Sequence, residues 1–374
     1  MTPGERGPSL QPDAPSVPVV LHDLGLVEAE LTRLWLANVD AGGEAEARPV
    51  LRAASFNLVT VVPSEGDSAR AAAVLAQVMA VHPGRVLILW VDRATPDERF
   101  EAWVAMHCRP VAGGSQICGE QVVIAARGGA VDRVGGAVAA LLVPECPTFV
   151  WWRGGVDPAA SFLDRLVPIV DAVLLDGARF DPATLPRWVE RMATAGAGRP
   201  VGDLAWRRGA AWRGWTADCF EPAAMRPHLG GLTRVRVEHG EGAEMVALLH
   251  VAWLAARLGW AAPPGLARRP GGGWDGRLAR AGAAIGVEVV PVAGPPGLAG
   301  VHLEATDAGV RCVVARQGPE AVALEVARRD TVLQRWIIRQ PEPDEAALVG
   351  RWLGDPRRDP IYAEALASLA AITA

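Results

Sequence analysis

Lysine is absent from this chain of 374 residues, whose 37 basic residues are all arginine. Its absence excludes a lysine Schiff base and the phosphate-binding lysine of P-loop and kinase sites. No uninterrupted apolar run reaches the roughly 18 residues that a membrane-spanning helix needs. The longest candidate, residues 245–256, contains His250 and is predicted to be a core helix. The sequence therefore predicts no membrane span.

Cysteine and net positive charge are also scarce. Five cysteines are few for this length and odd in number, which is typical of a reducing cytoplasm. The net charge of -5 and the isoelectric point near 5.9 give no basic field, so nucleic-acid binding is not expected. The N-terminus is rich in proline and lacks an apolar stretch of signal-peptide length, which predicts a disordered tail over residues 1–22. We therefore expect a cytoplasmic protein.

Hydrophobic residues make up 50% of the chain, enough to bury globular cores. A helix is predicted over 25–39, and strand-like and helix-like segments alternate from residue 45 to residue 198. The predicted strands are 56–62, 85–91, 121–126, 148–152 and 172–175, and the helices between and after them are 69–81, 131–142, 162–170 and 185–192. Such alternation predicts an α/β domain with a mostly parallel sheet.

A second domain, of the α+β class, is predicted over residues 199–374, after a Gly/Ala/Pro-rich linker at 195–202. It begins with a short strand, 233–237, and an amphipathic helix, Glu244–Leu258, which Gly259 is placed to end. A loop is predicted at 261–276. Turn residues then separate five short runs that predict an antiparallel meander: 286–292, 301–305, 310–315, 321–327 and 332–339. C-terminal helices at 344–353 and 361–372 complete the prediction.

Catalytic and cofactor-binding motifs are missing. There is no glycine fingerprint for dinucleotides after a strand, no Walker A, no H-E-x-x-H, no G-x-S-x-G and no C-x-x-C pattern. The segment Gly113-Gly114-Ser115 lies between two predicted strands, where a glycine pair forms a hairpin turn more often than a phosphate cradle. We therefore predict no catalytic residue and no cofactor.

His107, Cys108 and Cys118 have the chemistry of metal ligands, but their wide spacing without a second pair disfavours a metal site. If the two cysteines lie on a hairpin, they can come within disulfide reach. The favoured interpretation is two small, half-buried thiols in a reduced protein. We expect no thiol control of function, because no basic or C-x-x-C setting lowers a thiol pKa here.

Tryptophan is abundant, with 14 residues, and several tryptophans stand next to arginine. Tryptophan fills cores, but tryptophan and arginine are also enriched at protein–protein hot spots. In the segment Trp151-Trp152-Arg153, the arginine follows a predicted strand, which predicts Arg153 at an accessible edge. In the segment that contains Trp212 and Arg213, we expect Trp212 to anchor the segment while Arg213 donates to a partner. The candidate partner-binding residues are Trp151, Trp152, Arg153, Asp203, Trp206, Arg207, Trp212 and Arg213.

Short motifs distributed over residues 51–366 form an ordered set. They are His82-Pro83-Gly84-Arg85, Cys118-Gly119-Glu120-Gln121, Leu141-Leu142-Val143-Pro144-Glu145-Cys146-Pro147 with Trp151-Trp152, Asp203-Leu204-Ala205-Trp206-Arg207 with Trp212-Arg213, Trp253-Leu254-Ala255 before Arg257-Leu258-Gly259, and Asp359-Pro360-Ile361-Tyr362. In this order they resemble the glucose-6-phosphate dehydrogenase assembly protein family, known as OpcA. The Pro-x-x-Pro then Trp-Trp element and the Asp-Leu-Ala-Trp element are the most specific.

The resemblance implies a two-domain protein without known catalysis that associates with glucose-6-phosphate dehydrogenase. It would promote the assembly or activity of that enzyme at the entry to the oxidative pentose phosphate pathway. A function of another class stays open, namely an enzyme or a binding protein for sugar phosphates or nucleotides. In that case Arg85, Arg109 or Arg153 would clamp a phosphate at the carboxyl ends of the strands.

Overall fold

The computed structural model describes residues 20–40, 50–52, 54–110, 116–154, 165–194, 198–263, 265–281, 283–339, 341 and 343–374. Most of the predicted tail, the glycine turn at 113–115 and the start of the predicted helix 162–170 lie outside the described residues. The chain divides into two compact units. The first comprises Met1–Leu175, Arg191–Gly202 and Glu345–Arg357, and the second comprises Asp176–Glu190, Asp203–Asp344 and Arg358–Ala374.

The first unit is built on a mostly parallel sheet. Its strands are β1 (Val50–Arg52), β2 (Asn57–Val62), β3 (Arg85–Asp92), β4 (Arg99–Pro110), β5 (Gln116–Arg127), β6 (Thr148–Trp152), β7 (Ala172–Leu175) and β8 (Val201–Asp203). The strand order is β1-β5-β3-β2-β6-β7-β8, and β4 pairs with β5 in antiparallel fashion. Every residue of β2 and of β6 is buried, as expected for parallel strands that are covered on both faces.

The described helices are α1 (Val27–Asp40), α2 (Glu65–Met79), α3 (Val134–Leu141), α4 (Leu185–Thr194), α5 (Leu204–Arg208), α6 (Ala210–Asp218), α7 (Glu244–Leu258), α8 (Glu345–Leu353) and α9 (Pro360–Ile372). In the first unit, α2 packs on β2 and β3 and contacts α8, while α1 contacts β4. Across the part of the chain that is described, no helix combines the length and apolar character needed to cross a bilayer.

The second unit contains an eight-stranded sheet. Its strands are β9 (Arg234–His239), β10 (Leu266–Arg268), β11 (Trp274–Arg280), β12 (Ala283–Pro291), β13 (Leu298–Ala305), β14 (Val310–Arg316), β15 (Ala321–Arg328) and β16 (Thr331–Arg339). The order is β10-β11-β12-β9-β13-β14-β15-β16, and only the β9–β12 pair of this sheet is parallel. Burial alternates along β9, and the apolar helix α7 contacts β9, β12 and α9. Gly259 ends α7 in the left-handed conformation, with φ 66°.

The predicted fold class is confirmed, with a mostly parallel sheet in the first unit and an antiparallel meander, β13 to β16, in the second. The run 286–292, predicted as the first strand of the meander, is not part of it, because it forms β12, which pairs with β9 in parallel and with β11 in antiparallel fashion. The predictions missed five strands, β1, β4, β8, β10 and β11. Strand β4 shows no alternation because consecutive residues from Ala102 to Ala105 are all buried. Strands β8 and β10 have three residues each, too few for a periodicity, and β8 falls in the predicted linker.

Four of the five cysteines are paired. Cys108 and Cys118 lie opposite each other on β4 and β5 and form a disulfide, with Cα atoms 4.0 Å apart. Cys219 and Cys312 form another disulfide, which joins positions 93 residues apart. The favoured interpretation of Cys108 and Cys118 as two reduced thiols was wrong, because strand pairing places the two side chains directly across from each other.

Candidate functional site

The strand order of the first unit defines where a ligand would be expected to bind. Strands β5-β3-β2-β6-β7-β8 follow the 3-2-1-4-5-6 order of doubly wound dinucleotide-binding sheets. The order reverses between β2 and β6, which are neighbouring parallel strands. In such sheets the ligand crevice lies beyond the carboxyl ends of these two strands, here after Val62 and Trp152.

The residues after β2 do not fit a dinucleotide. A pyrophosphate needs a glycine-rich turn and free N–H groups at a helix N-terminus. Here Pro63 and Ser64 follow the strand, and Ser64 caps α2 by accepting the N–H of Asp67 at 3.1 Å. The first turn of α2 also carries the carboxylates of Glu65 and Asp67, which would repel a phosphate.

The acidic residue at the carboxyl end of β3 also forms hydrogen bonds within the chain. In dinucleotide-binding sheets an acidic residue near this point binds the ribose hydroxyls. Asp92 ends β3, but its carboxylate accepts the N–H of Ala94 at 3.0 Å and the hydroxyl of Thr95 at 2.5 Å. The Thr95 hydrogen bond is the main cause that lowers the pKa of Asp92. The carboxylate therefore caps a local turn.

Arg153 follows β6, on the other side of the crevice. Its Nη1 donates to Glu345 Oε1 at 2.9 Å, and its guanidinium lies 4.4 Å from the ring centroid of Trp151. Glu345 is the first residue of α8, which belongs to the same unit. Arg153 is only 2% exposed, so the expectation that it lies at an accessible edge was wrong. Arg153 is instead buried within the unit, where it pairs with Glu345 and stacks on Trp151.

Trp151 and Trp152 are buried too, because both faces of β6 are covered. They are among the largest fully buried side chains of the described residues. Burial of this kind is typical of core packing, and it leaves little of either ring for contact with a partner.

The three arginines of the alternative phosphate clamp are not brought together. Arg85 begins β3 and Arg109 lies near the end of the antiparallel β4, next to the amino end of β5. Both therefore lie at the amino edge of the parallel strands, whereas Arg153 follows a carboxyl end. The clamp is not formed.

Arg85 instead lies in a buried ion-pair cluster. Its Nε donates to Glu120 Oε2 at 2.6 Å, its Nη1 donates to the carbonyl of Leu141 at 2.6 Å, and it also pairs with Glu28. Trp35 Nε1 donates to the other oxygen of Glu120 at 2.7 Å. Burial alone would lower the pKa of Arg85, but Glu28 and Glu120 raise it above its ordinary value. The cluster thus connects α1 with strands β3 and β5.

Asp203 is the centre of a buried network in the second unit. Its Oδ1 accepts the N–H groups of Gly177 at 2.7 Å and Ala205 at 2.8 Å, and its Oδ2 accepts the hydroxyl of Tyr362 at 2.8 Å. Burial is the main cause that raises its pKa to about 6. A Cβ at Gly177 would collide with this carboxylate, so the position requires glycine.

Trp206 and Arg213 extend this network. Trp206 Nε1 donates to Asp359 Oδ2 at 2.7 Å, and the guanidinium of Arg213 lies 3.3 Å from the Trp206 ring centroid. Arg213 Nη1 also donates to the Trp206 carbonyl at 2.9 Å. Burial lowers the pKa of Arg213 to about 10, although Asp359 and Asp203 oppose the shift. Arg213 thus stacks within its own unit, and Asp203, Trp206 and Arg213 are joined by contacts.

Trp212 and Trp215 lie on one face of helix α6, with ring centroids 5.5 Å apart. Both rings are buried, as expected for an anchor. Arg207 and Arg213 are the candidates of this segment that keep partial exposure.

Glu345, Asp359 and Tyr362 were missed as partners of the candidate residues. The Asp359-Pro360 cap signal predicts a helix start, but nothing in a single sequence pairs it with residue 206.

The described residues contain no group of three or more His, Cys, Asp or Glu side chains placed to hold a metal ion. Comparison with known families gives the decisive observation. Residues 76–189 match the family described as the glucose-6-phosphate dehydrogenase subunit N-terminal domain, and residues 199–366 match its C-terminal domain. The chain belongs to the OpcA family.

Curated OpcA relatives are cyanobacterial. The chain is 32% identical over 182 residues to the "Putative OxPP cycle protein OpcA" of Nostoc punctiforme, covering 48% of this chain and 38% of that protein. It is 27% identical over 202 residues to the same-named protein of Synechocystis sp., covering 52% and 41% of the two chains. The match therefore spans less than half of the length of these relatives.

Two of the similar solved structures are oxidoreductases with low sequence identity to this chain. A mutant of KijD10, a 3-ketoreductase from Actinomadura kijaniata, has a TM-score of 0.47 at 10% identity, covering 84% of this chain and 94% of that one. An NAD binding oxidoreductase from Klebsiella pneumoniae has a TM-score of 0.46 at 12% identity, covering 86% and 96%. At these scores neither carries an argument about the chemistry of the OpcA chain.

Proposed function

We propose that this OpcA protein associates with glucose-6-phosphate dehydrogenase and promotes its assembly or activity at the entry to the oxidative pentose phosphate pathway. The observation that carries the proposal is the match of two consecutive family domains, over residues 76–189 and 199–366. The proposed site of action is the cytoplasm. The domain boundary near residue 198 remains part of this proposal.

Association is tested with the purified chain and the cognate dehydrogenase, by size-exclusion chromatography of the two proteins alone and mixed. We expect a new species that contains both proteins and forms saturably as the chain is added. If the two proteins elute independently at micromolar concentrations, the proposed partner is wrong.

The second part of the proposal is that the chain has no catalytic activity of its own. It is supported by the crevice between β2 and β6, where Glu65 and Asp67 replace a phosphate-binding glycine turn and Glu345 pairs with Arg153. We expect titration with NAD⁺ or NADP⁺ to give no saturable binding in the micromolar range, because the first turn of α2 repels phosphate. Calorimetry checks this, with the dehydrogenase as positive control. Micromolar nucleotide binding that Arg153→Ala abolishes would refute the proposal.

The candidate partner-binding residues stay a proposal, and Arg207 gives the sharpest test of them. Arg153 is buried and Arg213 stacks on Trp206, so their removal is expected to disturb the fold as well as binding. Arg207 is half-exposed on the short helix α5. We expect Arg207→Ala to weaken binding of the dehydrogenase about thirtyfold, as for a hot-spot arginine, and circular dichroism verifies that the variant is folded. The exposed Arg277 provides the matched control, Arg277→Ala. Equal affinities of both variants and the wild type would place the interface elsewhere.

A further inference from the structure

Strand β16 is an exposed edge of the second unit's sheet. Nine large hydrophobic residues are exposed among the described residues, and four of them lie on this strand: Val332, Leu333, Trp336 and Ile337. Ile337 is 65% exposed and Val332 is 51% exposed. Because neighbouring residues of a strand point to opposite faces, Ile337 and Trp336 expose apolar surface on both sides of the sheet. A cluster of this kind marks an interaction site more often than scattered exposed residues do.

The backbone of β16 is also available on one side. The strand pairs with β15 on its inner side, and no described strand pairs with its outer side. A bulge interrupts the register near Leu333, so residues 334–339 form a regular run. Every second residue of this run directs its N–H and C=O outward. Such an edge can accept one further strand, as in peptide recognition by strand addition.

The charges on and next to this edge are mostly positive. Arg335 and Arg339 lie on β16, and Arg328 and Arg329 lie just before it. The carboxylates nearby are Asp330 and Glu325, and Glu325 lies opposite Arg335 and pairs with Arg311. None of these four guanidinium groups makes an ion pair or side-chain hydrogen bond with another residue of the described ranges. The edge therefore favours an acidic strand.

A small groove continues the apolar face of β16. Ile338 lies opposite Val322 of β15, and Val322 lines a groove of about 30 Å³ with Trp212 and Trp215. Pro341, which follows β16, lines the same groove. The groove therefore lies next to the end of β16 within the second unit.

We infer that β16 docks an extended segment of the dehydrogenase in which apolar and acidic side chains alternate, added to the sheet as a further strand. This inference rests on the proposed function and locates the partner on a particular surface. A second copy of the chain is a poorer occupant. Antiparallel pairing of two β16 strands would bring together the arginines of both copies, with only one aspartate from each.

Two double variants of β16 test the surface by calorimetry with the purified dehydrogenase. Trp336→Thr/Ile337→Thr keeps residues of reasonable strand propensity and removes apolar contact. Arg335→Glu/Arg339→Glu reverses the charge of the edge. The matched controls are Ile169→Thr, an exposed isoleucine outside this strand, and Arg277→Glu, an exposed arginine of the same sheet. Circular dichroism and thermal melting verify that each variant is folded.

We expect each β16 double variant to weaken binding at least thirtyfold while the controls stay within twofold of wild type. We also expect raised salt to weaken wild-type binding more than binding of the charge-reversed variant.

Wild-type affinity in both folded β16 variants would overturn the docking surface while leaving the proposed function intact. A failure of the wild type to bind would instead overturn the proposed function and this inference with it. A dimer of the chain alone in sedimentation, abolished by Trp336→Thr/Ile337→Thr, would identify a second copy as the occupant and overturn the inference.

Discussion

Replacing Arg85 with alanine is expected to lower the free energy of unfolding of the first unit by about 3 to 5 kcal/mol, the cost of breaking a buried ion pair from one side. Glu120 is 3% exposed and would lose its guanidinium partner, while Trp35 Nε1 would still donate to it. The carbonyl of Leu141 would lose its guanidinium donor as well. Urea unfolding followed by tryptophan fluorescence and circular dichroism measures the change.

Two further variants separate the buried charge from general damage. Adding Glu120→Gln to Arg85→Ala is expected to recover part of the stability, because it removes the uncompensated carboxylate. Arg93→Ala, which removes an exposed ion pair with Asp132, is expected to have a several-fold smaller effect than Arg85→Ala. An Arg85→Ala protein as stable as Arg93→Ala would contradict the assigned role of the cluster.

Replacing Asp203 with alanine is expected to destabilise the second unit by about 3 kcal/mol or more, because three buried donors lose their acceptor. These donors are the N–H groups of Gly177 and Ala205 and the hydroxyl of Tyr362. Asp203→Asn is the matched variant, since its amide oxygen can still accept both N–H groups while its amide nitrogen donates to Tyr362. We expect Asp203→Asn to be clearly more stable than Asp203→Ala at pH 7.

The raised pKa of Asp203 predicts how the stability difference between wild type and Asp203→Asn changes with pH. Folding raises the pKa from 3.8 to about 6, so the folded state binds the proton more tightly than the unfolded state. The Asp203 side chain therefore stabilises the folded state below pH 4, and this stabilisation is lost as the pH rises through 6. The loss is about 3 kcal/mol, because each unit of pKa difference corresponds to about 1.36 kcal/mol. The stability of wild type relative to Asp203→Asn should fall over this range. A difference that stays constant from pH 4 to pH 7 would contradict the buried, ionising carboxylate.

Local patterns predicted much of the fold. The apolar runs that became β2, β3 and β6 were recognised because buried parallel strands are continuously apolar, and α7 was recognised from its apolar face and Gly259. Strand β4 was missed because burial of consecutive residues removes the alternation on which a prediction depends. Strand order is a long-range property, so no local pattern indicated that β2 and β6 would be neighbours.

The candidate site was predicted less well than the fold. Neighbouring Trp and Arg residues suggested an exposed hot spot, but Arg153 finds an acceptor in Glu345, 192 residues later. Arg213 likewise stacks on Trp206. A single sequence gives no sign of a partner as distant along the chain as Glu345 is from Arg153. Strand β16 was predicted as a strand, but its position at the sheet edge emerged only from the topology.

The proposed function is action on glucose-6-phosphate dehydrogenase without catalysis by the chain itself. NADPH formation by the purified cognate dehydrogenase, measured across added chain concentrations together with the oligomeric state of the enzyme, tests it most directly. We predict a saturable rise in rate or in the assembled fraction, and no NADPH formation by the chain alone. Unchanged kinetics and oligomeric state at a large excess of chain would contradict the account.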